Sequence, residues 1–151
     1  MGVPVRGWVA RELLAAARVL VVGQQRGKQY ESLNDAAVRY PRLKGLAPGR
    51  TEIWYAKSLR DYSGGFDRLE QYDVEIPNVQ NIKKTHKLIG KIKETNPERI
   101  FSMLQGESWS PQGEAFDLIS GLDLHTSMSV GDIIKVGNKL LFVDRVGFEE
   151  L

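Results

Sequence analysis

Four lysines, Lys83, Lys84, Lys87 and Lys91, are the residues of this chain whose type and spacing best suit a chemical task. On a helix turning about 100° per residue they share one arc, opposite Val79, Ile82, Leu88, Ile89 and Ile92. Such a stripe of ammonium groups can neutralise phosphates and give salt-dependent nucleic-acid binding. An amphipathic helix also needs a polar outer face, and lysine supplies one without any further role. His86 lies at the border of the two arcs and reads as a boundary residue.

Other groupings carry less chemistry. Glu107, Glu114, Asp117 and Asp123 gather near Trp109, as paired carboxylates do in glycoside hydrolysis, but Glu114 and Asp117 equally suit the first turns of a helix. His125 stands beside Thr126, Ser127 and Ser129, a histidine next to hydroxyls. Neighbours in sequence rarely meet as nucleophile and base, so turn formation accounts for this run better. Asp132 and Asp144 flank the last apolar runs and invite a cation, yet no calcium-type loop of oxygen ligands surrounds them. Trp54, Tyr55, Tyr62, Phe66 and Tyr72 offer either a stacking platform for bases or ordinary cross-strand packing. Gly64-Gly65 lacks the spacing of any nucleotide-binding fingerprint.

Composition narrows the classes. The 151 residues include no cysteine and only two histidines, which excludes disulfides and thiolate chemistry and leaves no ligand set for zinc. The longest apolar stretch, near residues 13–22, is short and interrupted by Arg18, so no membrane association is expected. Charge is uneven along the chain. Residues 1–50 carry nine Lys/Arg against three acids, whereas the rest carries twelve against sixteen. That contrast suggests a basic arm attached to a separately built domain.

The elements that must position these residues follow from local signals. Residues 8–22 have a helical period stopped by Gly23, and a short helix is expected over 32–40 before Pro41. Gly45, Pro48 and Gly49 mark 44–50 as a linker, dividing the chain into an arm, 1–50, and a domain, 51–151, that folds on its own. Strands are expected from Ile53 to Leu59 and from Leu69 to Ile76, joined as a hairpin through the 61–65 turn. The lysine-bearing helix occupies 79–93. Asn96-Pro97-Glu98 opens another with Asn at the cap and Pro in the first turn, and Ser110-Pro111 opens a third. The clearest signal is the last: 133–136 and 140–143 are apolar runs joined at Gly137-Asn138, a two-residue hairpin turn.

Residues 124–134 (LHTSMSVGDII), with the hairpin and the ending 143–151 (VDRVGFEEL), resemble the C-terminal segment of YodL-like and related domains of phage and conjugative-element proteins. Residues 9–20 (VARELLAAARVL) are similar to N-terminal helices of tailed-phage proteins. The resemblance implies a phage or mobile-element origin and transfers no catalytic residue.

The expectation is therefore an α+β protein: a small antiparallel sheet of two hairpins, helices on one face, preceded by a basic helical arm. It is expected to be no enzyme and to need no cofactor. It would act as a macromolecule-binding protein in the host cytoplasm or the virion, using Lys83, Lys84, Lys87 and Lys91 on nucleic acid. A virion or assembly component, or an inhibitor of a host enzyme contacting another phage or host protein, is the alternative.

Overall fold

A computed structural model describes residues 33–109 and 125–151. The expected helices over 8–22 and from Ser110, together with Glu114, Asp117 and Asp123, lie outside these residues. Within them the chain is α+β. It runs through α1 (Leu33–Arg39), a 3-10 turn (Pro41–Leu46), β1 (Pro48–Ala56), α2 (Leu59–Tyr62), α3 (Phe66–Gln71) and α4 (Ile82–Thr85). There follow β2 (His86–Ile92), α5 (Pro97–Met103), α6 (Gly106–Trp109), β3 (Ile133–Val136), β4 (Lys139–Val143) and β5 (Phe148–Glu150). The strands form one antiparallel sheet in the order β2-β1-β3-β4-β5.

The local signals with a strong chemical basis hold. Val136 pairs with Lys139 across Gly137-Asn138, and only the first turn residue has positive φ, at 62°, the pattern of a type II′ connection. Asn96 caps α5, its Oδ1 accepting from the backbone N–H groups of Glu98 and Arg99.

Two expectations fail for one reason, the competition between local period and long-range pairing. Residues 69–76 do not form a strand: Leu69 ends up inside α3, which Gly65 opens at a φ of 104°. The partner of β1 is instead the second half of the stretch expected as the lysine helix. That stretch yields only one helical turn, 82–85, before extending as β2. Its apolar residues are few and closely spaced, and a run of that kind suits a strand as well as a helix. Gly90 tips the balance, being costly inside a helix and useful here. A Cβ at Gly90 would come within 2.9 Å of Leu33, so the glycine lets α1 lie close on β2. A register shift opposite Ile53/Trp54 places a bulge at Ile89 and re-aims the side chains beyond it.

Alternation along the strands makes two cores, and the short helices cover both faces of the sheet, not one. Ile53, Tyr55, Ile92 and Ile134 face α1, the 3-10 turn, α5 and α6, where they bury Ile100, Leu104 and Trp109. Trp54, Ala56, Ile133 and Phe142 face the other way, against Tyr62, Leu69 and Ile82. The first core begins upstream of residue 51: Leu33, Ala36 and Leu46 are all 0% exposed, and β1 starts at Pro48 within the stretch expected to be linker. Residues 33–46 thus pack as part of the sheet's covering layer, and 48–50 belong to the sheet itself.

Candidate functional site

The second face of the sheet is only partly covered. Beyond Ile82 the covering stops, leaving a groove of about 700 Å³ whose apolar floor is Val79 and Leu88, over the buried Trp54 and Leu140. Its charges come from cross-strand register. Glu52 of β1 pairs with Lys91 of β2 on one side and with Lys135 of β3 on the other, so the three side chains form a row across the sheet. Glu52 is held in place: its Oε1 accepts from the Trp54 indole N–H at 2.9 Å, and its Oε2 lies 4.0 Å from the Lys135 ammonium. Lys83 reaches the same groove from α4, and Asn138 closes it from the hairpin turn. Three lysines therefore share this groove with one carboxylate over an apolar floor.

Of the four lysines singled out by spacing, the structure brings two together. Lys83 and Lys91 line the groove. Lys84 turns into a neighbouring pocket with Lys57, Asp61 and Asp73, where its ammonium is 3.5 Å from Glu75. Lys87 pairs in register with Tyr55, on the opposite face of the sheet. The helical arc is dismantled because a strand alternates sides, and the bulge at Ile89 shifts the phase between Lys87 and Lys91. Sequence reading missed Lys135 and Glu52. Their signal exists only in the register of three strands.

A second polar cluster lies at the far end of β1. Asp132 is fully buried and accepts from the backbone N–H of Ala56 at 2.8 Å, from that of Ser129 at 2.7 Å, and from Nε2 of His125 at 2.7 Å. The His125 ring stacks on Tyr55 at 4.5 Å between centroids, and the Tyr55 hydroxyl donates to the carbonyl of Thr126. His86, also buried, donates from Nε2 to the carbonyl of Gly131 at 2.7 Å, which leaves Nδ1 to accept from the Thr85 hydroxyl at 2.8 Å. Burial lowers the His86 pKa to about 4, and burial raises those of Asp132 and Tyr55 above their ordinary values.

A carboxylate holding an imidazole has the form of a catalytic pair, but its hydroxyl neighbours are engaged in structure. Ser127 Oγ accepts from the backbone N–H of Gly106 at 2.7 Å, and Ser129 Oγ donates to the Ser127 carbonyl at 3.0 Å. The cluster fastens the 125–132 segment to β1 and to the start of β2. Gly131 completes that fastening with a φ of 103°, its Cα so close to Tyr62 that a Cβ would meet it at 2.6 Å.

Other expected sites separate. Asp132 and Asp144 serve different segments, Asp144 accepting from the backbone N–H groups of Phe66 and Arg145, and no group of three His, Asp or Glu able to hold a metal occurs among the described residues. Trp54, Tyr55 and Tyr62 are buried in the two cores, so they are packing residues and not a stacking platform. No helix among the described residues is long and apolar enough to cross a membrane. Comparison with protein-family models, with curated proteins and with solved structures gives no match.

Proposed function

We propose that this chain is a non-enzymatic macromolecule-binding protein of a phage or mobile element, and that the groove over Trp54 is its contact surface for nucleic acid. The observation that carries this reading is the convergence of Lys83, Lys91 and Lys135, from three separate elements, on one concave surface with a single carboxylate among them. Ammonium groups gathered on one concave surface repel one another, and a polyanion relieves that repulsion while releasing its own counterions. The basic excess of residues 1–50 has the same sign and favours the same partner.

The test compares two sets of substitutions in the full chain. Changing Lys83, Lys91 and Lys135 to Gln should weaken binding of a labelled oligonucleotide and reduce the slope of log K against log salt by about two to three. Changing Lys84 and Lys87 to Gln, which lie outside the groove, should leave most of the slope in place. Absence of oligonucleotide binding by the parent at low salt, or equal effects of the two sets, would overturn the assignment.

A further inference from the structure

We infer that the groove takes a single strand, with unstacked bases on its floor and phosphates on its lysines, and that a duplex is a poor occupant; this rests on the nucleic-acid reading above. Three observations favour it. The first is shape. A surface that binds duplex phosphates needs only to present its cations outward, whereas Lys83, Lys91 and Lys135 stand around a hollow of about 700 Å³. That volume falls in the range of pockets that enclose a small ligand, enough for a nucleotide or two and far too small for a double helix.

The second is the chemistry of the floor. Val79 is 54% exposed, and Leu88, half-buried, lies beside it, so apolar surface faces water at the bottom of a cationic hollow. Phosphates gain nothing from such a surface. The face of a base does, because every base offers an apolar face once it is out of its stack.

The third is the presence of groups that read base edges. Glu52 is acceptor-only and can take an exocyclic amine, and the amide of Asn138 both donates and accepts. In a duplex those edges are paired or lie in the grooves, beyond the reach of groups set into a hollow. An acidic peptide would satisfy the lysines and the floor, but it would place its carboxylates against Glu52 and leave the amide of Asn138 without a defined role.

The experiment titrates the full-length protein with a labelled single-stranded oligonucleotide, the same oligonucleotide annealed to its complement, and poly-glutamate as competitor. Val79→Asn serves as the floor variant because the site is exposed and the change adds no charge. The expected result is at least tenfold tighter binding of the single strand than of the duplex. Val79→Asn should weaken the single strand severalfold while leaving duplex binding and the salt slope unchanged. Equal or tighter binding of the duplex, or no effect of Val79→Asn on the single strand, would overturn the single-strand assignment while leaving nucleic-acid binding in place. Displacement of the single strand by poly-glutamate at equal charge concentration would also overturn it, in favour of an acidic protein partner. Failure of both oligonucleotides to bind would remove the nucleic-acid reading itself.

Discussion

Asp132 is the side chain whose loss should cost this fold most for its size. It has no solvent to fall back on and accepts from Ala56 N–H, Ser129 N–H and His125 Nε2. Replacing it with Ala leaves the Ala56 N–H, inside the sheet, without a partner, at a cost of about 1–3 kcal/mol for one buried donor. Ser129 and His125 lose their acceptor as well, although the half-buried Ser129 can recover part of the loss from water. Relief from burying a carboxylate, visible in the raised pKa of Asp132, offsets some of this. The sum is a loss of roughly 3–5 kcal/mol, one buried donor left wholly unpaired and two more partly so. Asp132→Asn should cost less, roughly 1–3 kcal/mol, because its oxygen still serves Ala56 while its amide N–H₂ faces the Ser129 N–H, donor against donor. Urea unfolding of the full chain, followed by circular dichroism, reads both. With a slope of about 1–3 kcal/mol/M, the Ala variant should move the midpoint by one to a few molar without changing the slope. A midpoint shift for Asp132→Ala smaller than that for Asp132→Asn, or one equivalent to under about 0.5 kcal/mol, would refute the reasoning.

Two further predictions follow from the packing. The unfolded chain protonates His86 near its ordinary pKa of 6.5, whereas the folded chain resists protonation down to about 4. Stability should therefore be complete above about pH 6.5 and fall as pH drops toward 4, by up to roughly 3 kcal/mol at the bottom of that window. The raised pKa of Asp132 acts in the opposite sense just above its ordinary 3.8, because the folded state then takes its proton first and recovers part of the loss. His86→Gln, which keeps a donor for Gly131 and cannot titrate, should flatten the profile between pH 6.5 and 4.5; parallel profiles for the two proteins would count against this account. A chain beginning at Arg50 lacks Leu33, Ala36, Leu43 and Leu46, all buried against the sheet, and should lose cooperative unfolding, since burial of each leucine contributes about 1.5–3 kcal/mol to a fold of marginal stability. A cooperative melt of that fragment near the full-length midpoint would contradict it.

What the sequence by itself determined is whatever is decided within a few residues. Gly137-Asn138 specifies its turn because only a residue free to adopt positive φ fits the first position between two β-prone runs. Asn96-Pro97 specifies a helix start because one side-chain oxygen and one missing N–H settle the first turn. The α+β class follows from such signals. The identity of the strand pairs does not. Residues 86–92 suit a helix by period and a strand by composition, and the ladder offered by β1, with Gly90 admitting α1, decides for the strand. The candidate site inherits that decision. Lys91 and Lys135 are far apart in the chain and become neighbours only because Glu52 stands between them in register, while Lys84 and Lys87, two members of the predicted stripe, turn elsewhere. Asp132 was legible as a carboxylate near a turn, but its buried bonds to Ala56 and His125 span different segments. Side-chain spacing along one element is a local property, whereas the surface on which those side chains meet depends on pairings of high sequence separation, which only the folded chain makes.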